Sequence, residues 1–575
     1  MLRKLIILLV ASNFTVTNIA ISFAQEQSSE PLFEYSEINH PVIGSKGMVA
    51  SHNALSSEIT AEIMRNGGNA IDAGAALGFA LAVTLPRAGN VGGGGFMLIH
   101  VAKLNKTIAV DFREFAPEAA NKNMFFDKNG EVAVMDPSYR FSHKSSAVPG
   151  SVAGLAHIVE NYGTMTLAEV LEPAIRLARD GIVVTYDLAA DLSRSVRLKN
   201  NAAALKKFYK PDGSNYEVGE LFKQPDLAWT LSEIAQNGVD AFYKGSIAKR
   251  IVAFSEANGG YFGLKDFADH TSTWVEPVST NYRGYDVWEL PPNGQGIAAL
   301  EMLNILEGYD VKAMGQGSAE YLHLFVEAKK LAFADRATFY ADPDFNQLPV
   351  AELISKKYAE QQRKRIDVDQ AATDVPPGDP KLVNGDTVYI TVVDEDRNCC
   401  SFIQSNYHGF GSKVTPGDVG FVLQNRGALF ALDEVHLNRL EPHKRPFHTI
   451  IPAMVTKDNQ PWFCFGVMGG DMQPQGHVQV LVNLIDFGMD VQAAGDAARV
   501  RHVGSQTPTG IPMAKGGGVV AVESGLSIEA VRGLQDRGHR LVIGSGGSFG
   551  GYQGILIDWK NGVLHGGSEP RKDGA

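Results

Sequence analysis

Apolar residues recur at helical spacing through much of the first half of the chain and give way to strand-like alternation in the second. SSEITAEIMRNGG (56–68) and NAIDAGAALGFALAVTLP (69–86) read as helices punctuated by glycine and stopped near Pro86. TMTLAEVLEPAIRLARDG (164–181) and SAEYLHLFVEAKKLAFADRATFYADP (318–343) repeat the pattern, the latter with a clear apolar stripe. KTIAVDFRE (106–114) alternates as a strand. Further on, TVYITVVD (387–394) and NCCSFIQS (398–405) flank the turn EDR and predict a hairpin. GHVQVLVNLIDFG (476–488), DVQAAGDAARVRH (490–502) and SIEAVRGLQDRGH (527–539) predict helices, and RLVIG and YQGILID predict strands. Asn561-Gly562 predicts a tight hairpin between the last two strands.

The two regions meet at DVDQAATDVPPGDPKLVNGD (367–386), which has no helical stripe, three prolines and several acids. A structureless stretch of that length inside a compact protein is uncommon and often functional. The pattern therefore predicts two segments of one α/β body joined by an exposed linker, with Thr387 at the linker's C-terminal end. Taken alone, Thr387 is an ordinary strand residue after a Gly-Asp turn. Its position is nonetheless the one a self-cleaving precursor needs.

Composition excludes some functions. With 575 residues, 44% of them hydrophobic, the chain can bury a large core. A formal charge of −12 and the lack of any basic run argue against nucleic acid as a partner. Arg3 and Lys4, the apolar LIILLVA (5–11) and SFA ending at Ala24 predict a signal peptide over residues 1–24. The protein is expected to be exported, periplasmic or secreted. No apolar run reaches the roughly 20 residues of a spanning helix, so no membrane span is expected in the mature chain.

Candidate chemistry is sparse at first sight. Cys399 and Cys400 are neighbours on a strand and face opposite ways, which does not suit a ligand pair. Fifteen histidines form no HExxH, and no metal or cofactor is expected. GGSFG (546–550) matches a nucleophile elbow in letters, but a strand rather than a helix follows it. VGGGGF (91–96) reads as close backbone packing near a site, since no Walker lysine follows. Arg113 in VDFRE (110–114) reads equally as a surface arginine paired with Glu114 or as a bidentate clamp for a carboxylate. His448, in an apolar run, reads as a core histidine.

Seven motifs occur in order: GGGGFM, VDFREFAP, GDTVYITVVD, QSNYHGFGS, LQNRG, HKRPFHTIIPAM and GVMGGD. Together, from about Gly44 to Arg571, they resemble the γ-glutamyltransferase (glutathione hydrolase) family of N-terminal nucleophile hydrolases. The resemblance implies an α+β, four-layer αββα body made as a precursor that cuts itself between Asp386 and Thr387. A large subunit (25–386) and a small subunit (387–575) would then form a heterodimer. Thr387 matches the family's catalytic threonine. Its freed α-amine, with a reference pKa of about 7.7–8.0, can take the hydroxyl proton, so nucleophile and base share one residue. Ser405 falls at an assisting hydroxyl and Gly469 and Gly470 at the oxyanion hole. Arg113 matches the arginine that holds the substrate α-carboxylate, and Tyr407, Arg426, His448 and Thr449 fall at substrate-binding positions. The implied reaction transfers the acyl group of glutathione or another γ-glutamyl amide to water, an amino acid or a peptide.

Several positions depart from the family pattern. Leu429 stands where an aspartate grips the substrate α-ammonium, with Asp433 as a possible replacement acid. Arg426 replaces an amide, His448-Thr449 replaces a serine pair, and Tyr389 replaces a histidine. The stretch from Asn425 to Lys444 is short, so a lid carried by some members is expected to be missing. Similar departures occur in relatives resembling cephalosporin acylases, which release glutaryl groups, and a glutaryl group is a γ-glutamyl group without its amine. An amidase of that kind is the alternative reading. An unprocessed, non-catalytic binding protein is a further one.

Overall fold

Two antiparallel sheets lie face to face between two layers of helices in the computed structural model, which describes residues 40–89, 91–127, 129–130, 137–379, 390–572 and 574. The predicted signal peptide, the Asp386–Thr387 bond and Tyr389 lie outside the described residues. Strands β1 (Val42–Gly44) and β2 (Met48–Ala50) precede helices α1 (Ala54–Arg65) and α2 (Ala70–Thr84), then β3 (Gly94–Val101) and β4 (Lys106–Phe112). Helices α3 (Ser151–Tyr162) and α4 (Leu167–Asp180) follow, with β5 (Thr273–Val275), β6 (Val278–Tyr282), β7 (Tyr285–Glu289), α5 (Gly296–Leu306) and α6 (Ala319–Phe339) after them. Beyond residue 389 come β8 (Ile390–Val393), β9 (Cys399–Ser405), β10 (Ala453–Lys457), β11 (Gln460–Met468), α7 (Gln473–Ile485), β12 (Gly551–Asp558) and β13 (Val563–Ser568). The seven-stranded sheet runs β1-β13-β12-β11-β10-β7-β6 and the six-stranded sheet β2-β8-β9-β3-β4-β5.

Three separate apolar clusters show the layering. The first packs α1 to α4 on the outer face of the six-stranded sheet. The second packs α5, α6 and α7 on the outer face of the seven-stranded sheet. The third, with Phe96, Leu98, Met454, Ile555 and Leu564, lies between the sheets. The chain is thus α+β in four layers, αββα. Strand alternation sorts the cysteines as expected: Cys400 joins the helix-side cluster and Cys399 the inter-sheet cluster. Every residue of α2 is buried, which suits its unbroken apolar composition. The Asn69–Asp72 capping box starts that helix, and it ends two residues before Pro86.

Three local expectations need revision. The 490–502 run is helical only over Val491–Asp496; Val500–Val503 is a strand paired with Val519–Val522. The buried Arg499 side chain turns back to cap the short helix: its guanidinium donates to the Gly495 carbonyl at 2.6 Å and also meets Glu569 at 2.8 Å and the Phe549 carbonyl at 2.9 Å. The β12–β13 hairpin pairs Asp558 with Val563, so its turn spans the four residues 559–562 rather than two. Gly562 takes the positive φ of 71° that this turn requires. Finally, the described part of the linker is largely exposed, as expected, but it is pinned to the body at points. Ala371 and Val375 are buried, the Ala371 N–H donates to Arg537 O (2.7 Å) and Lys330 Nζ to Ala372 O (2.7 Å).

Candidate functional site

Arg113 follows the last residue of β4 and is fully buried, which overturns the surface-arginine reading. Its partner is Asp111, not Glu114: Nε donates to Oδ1 at 3.0 Å and Nη2 to Oδ2 at 2.8 Å. The bidentate face is therefore spent inside the protein. What remains is Nη1, buried and without a hydrogen-bond partner among the described residues. Burial opposes ionisation of Asp111, but the Arg113 and Arg445 guanidinia outweigh it and hold the carboxyl below its ordinary range. Arg113 also lies over the Phe96 ring, 4.3 Å from its centroid.

His448 and Glu114 complete the surroundings of Phe96. The His448 ring lies edge-on to Phe96 with centroids 5.9 Å apart, and its Nε2 is 2.8 Å from Glu114 Oε2. Both side chains are fully buried. Glu114 Oε1 has no hydrogen-bond partner among the described residues, and burial pushes its carboxyl up to about 7 despite the nearby Arg426 and Arg113. Sequence reasoning placed His448 correctly in the core but missed Glu114 as a site residue. Arg426, also fully buried, donates from Nη1 to Thr449 Oγ1 at 2.8 Å and lies 5.2 Å from the Tyr407 ring centroid. Arg113, Tyr407, Arg426, His448 and Thr449 thus form one connected neighbourhood with Glu114 and Phe96.

Ser405 closes β9, and its Oγ accepts the Tyr407 N–H at 2.8 Å, with Tyr407 held at φ 73°. The glycine run explains how the backbone comes so close here. A Cβ on Gly93 would stand 2.4 Å from Ser405 O, and one on Gly92 would stand 2.1 Å from Val422 O. Gly469 and Gly470 follow β11 and lead through a single 3-10 turn into α7. Their φ values of 134° and 61° favour glycine, and a Cβ on Gly470 would meet no atom of the described residues within 4 Å.

Leu429 is buried in the second apolar cluster, and its carbonyl accepts Asn438 Nδ2 at 2.7 Å. No acid replaces it from the neighbouring loop. Asp433 is exposed, and its carboxylate is used locally to accept the Val435 N–H at 3.0 Å. Asn293 had no signal in the sequence, yet it is fully buried, with neither side-chain atom hydrogen-bonded to a described residue. The next residue, Gly294, lies against Phe96, where an added Cβ would be 2.9 Å from Cε2.

Among the described residues, His323, Glu327 and His539 lie close enough to share an ion. Their ligand atoms are already engaged: His323 Nδ1 with His539 Nε2 (2.8 Å), His323 Nε2 with Asp367 O (2.8 Å) and Glu327 with Lys330 Nζ (2.7 Å). This is a packed hydrogen-bond network under the linker, poorly suited to a metal. No helix among the described residues is long and apolar enough to cross a membrane.

Comparisons with known proteins agree with this arrangement. The profile of the family described as Gamma-glutamyltranspeptidase matches residues 56–575. The glutathione hydrolase proenzyme of Escherichia coli (strain K12) is 36% identical over 556 residues, spanning 93% of this chain and 92% of that protein. The Acylase ACY 1 proenzyme of Pseudomonas sp. (strain SE83) is 35% identical, spanning 93% and 94%. The crystal structure of a cephalosporin acylase from Bacillus halodurans superposes with a TM-score of 0.85 at 38% identity, covering 95% of this chain and 98% of that one. The chain accordingly belongs to the gamma-glutamyltranspeptidase family and is a hydrolase or transferase of the γ-glutamyl or acylase kind.

Proposed function

We propose that the protein is a self-processing amidase that forms an acyl-enzyme on Thr387 and acts on amides whose acyl chain ends in a carboxylate. The strands next to the proposed cut carry the reading. Ile390, three residues after Thr387 in the sequence, opens β8 and pairs with Phe402, three residues before Ser405 on β9. Cleavage after Asp386 frees the Thr387 α-amine. That amine takes the hydroxyl proton as the oxygen attacks the substrate carbonyl. The amides of the Gly469–Gly470 turn receive the negative charge, and the proton passes to the departing amine. Water releases the acid, while an amino acid or peptide amine gives transfer. Arg113 Nη1 meets the carboxylate at the far end of the acyl chain. The subunits would be residues 25–386 and 387–575 of an exported precursor.

Glutathione and other γ-glutamyl amides fit this scheme. A glutaryl-type acyl group is a second reading, favoured by a specific observation. Two buried guanidinia, Arg113 and Arg426, lie in one neighbourhood, while the buried Leu429 stands where the family resemblance puts the ammonium-binding acid. An ammonium placed there meets like charge, whereas the amine-free chain does not. Amine release from paired γ-glutamyl and glutaryl anilides, with denaturing electrophoresis and N-terminal sequencing of the small band, tests both parts. Two bands with the smaller beginning at Thr387, and turnover of at least one anilide, are expected. A single uncut band without turnover overturns the proposal in favour of a binding protein.

A further inference from the structure

Buried Arg336 and Gln295 and half-buried Asp471 make a set of contacts at the Gly469–Gly470 turn, and no step of the proposed reaction uses them. Arg336, on α6, is 1% exposed and stacks on Phe333, with its guanidinium carbon 3.7 Å from the ring centroid. Its Nη1 donates to Asp471 Oδ1 at 2.6 Å and also to Gln295 Oε1. Gln295 in turn donates from Nε2 to the Gly470 carbonyl at 3.2 Å. One guanidinium thus reaches the turn by two routes: the carboxylate just after it and, through an amide, its own carbonyl. The Met472 N–H holds the Gly469 carbonyl at 3.2 Å.

Two physical consequences follow. In a trans peptide the N–H points opposite to the C=O, so the Met472 contact on the Gly469 carbonyl sets the Gly470 N–H direction, while the Gln295 contact on the Gly470 carbonyl sets the following peptide plane and so anchors the C-terminal side of the turn. Charge matters as well. Asp471 adjoins the turn, and an unpaired carboxylate there opposes any negative charge forming on a substrate oxygen. Partial burial disfavours ionised Asp471, whose side chain is 43% exposed, yet the Arg336 guanidinium outweighs it and keeps the carboxyl below its ordinary range, so a close ion pair is the resting state.

We propose that Arg336 is a positioning residue: through Gln295 and Asp471 it orients the Gly469–Gly470 turn and cancels the Asp471 charge, so that the turn can receive the oxyanion. The inference rests on the reading of that turn as the oxyanion hole.

The test uses processed enzyme, with active sites counted by titration. It measures kcat and KM on the preferred anilide, and affinity for 4-boronobutanoic acid, whose boron becomes tetrahedral on the threonine oxygen, against affinity for glutarate. Arg336→Met is expected to lower kcat about a hundredfold with KM changed less than about threefold. Boronate affinity should fall with kcat while glutarate affinity holds. Asp471→Asn in the Arg336→Met background should recover at least about tenfold of the loss, and Arg336→Lys should fall between. Should Arg336→Met fail to fold or to cut, Gln295→Leu, which keeps the ion pair, is read instead and should lower kcat at least about tenfold at near-constant KM. Unchanged kcat per active site, or equal losses of boronate and glutarate affinity, in whichever variant is read, overturns the inference. Gly470→Ala separates the levels: a large kcat loss there with none at Arg336 removes only the positioning role, whereas no loss at either removes the oxyanion assignment itself.

Discussion

Glu114 and His448 meet 2.8 Å apart, Oε2 to Nε2, with neither side chain open to solvent. The contact joins the segment after β4 to the HKRPFHT segment, 334 residues on, and it stands close to Arg113 and Arg426. A carboxyl so placed stores a pH dependence. The unfolded chain ionises it near 4.5, while the folded protein holds the proton to about 7. Its contribution to stability is complete below the unfolded value and is lost as pH rises through that window. The Tm of the wild type should therefore fall between about pH 5 and pH 7.5 by more than that of Glu114→Gln. Parallel Tm curves for the two proteins would remove Glu114 as the source.

Arg113→Lys keeps the charge but cannot reproduce a guanidinium that binds Asp111 on one side and leaves Nη1 on the other. A hydrogen bond between charged groups contributes on the order of 1.5–3 kcal/mol. Activity on a carboxylate-ended anilide should fall ten- to a hundredfold in kcat/KM, while an acyl chain of equal length without the carboxylate loses far less. Equal losses on both substrates would make Arg113 structural only. Arg113→Ala is a poorer probe, since it strands buried Asp111 without its partner, at a cost of about 3–5 kcal/mol.

Substrate preference should follow Arg426 and Leu429. In the wild type, γ-glutamyl and glutaryl anilides should differ by less than about tenfold in kcat/KM, roughly 1.4 kcal/mol. Arg426→Gln with Leu429→Asp removes one cation and supplies an acid, so preference should move at least about tenfold toward the γ-glutamyl substrate. The added carboxylate enters an apolar cluster, so a lower Tm is expected as well. A wild-type γ-glutamyl preference above about a hundredfold would mean that the ammonium has another partner.

Maturation should depend on one hydroxyl. Thr387→Ala lacks the oxygen needed for an N→O acyl shift and should remain a single band, while Thr387→Ser should still cut, more slowly. A small fragment beginning at residue 387 in the alanine variant would count against self-processing.

Local rules read most of the scaffold well. The Asn69–Asp72 box, the alternation that separates Cys399 from Cys400 and the helical stripe of 318–343 are short-range patterns and could be read directly. The partner of Arg113 was also within reach, because residues two apart on a strand share a face, which singles out Asp111 over Glu114. The 490–502 run was misread because its alanines suit a helix, while Arg499 is drawn to Glu569, seventy positions away. Contacts such as Arg336–Asp471 and Glu114–His448 span 135 and 334 residues. No periodicity in one sequence encodes pairs that distant. Ordered motifs shared with a family located the neighbourhood; only the folded chain showed which atoms meet within it.

Strand order has a consequence for the lifetime of the enzyme. In both sheets the strands that follow residue 389 occupy the middle, and strands from before residue 380 flank them on either side. If the chain is cut as proposed, neither fragment retains a complete sheet, and parting them means breaking ladders on both flanks of each sheet. The pair should melt as one body, at a temperature that falls as it is diluted. Refolding would need two molecules to find each other where the precursor needed only one. Processing would thereby turn a renewable fold into one that is made once: the precursor should refold from denaturant at any concentration, and the mature pair poorly when dilute.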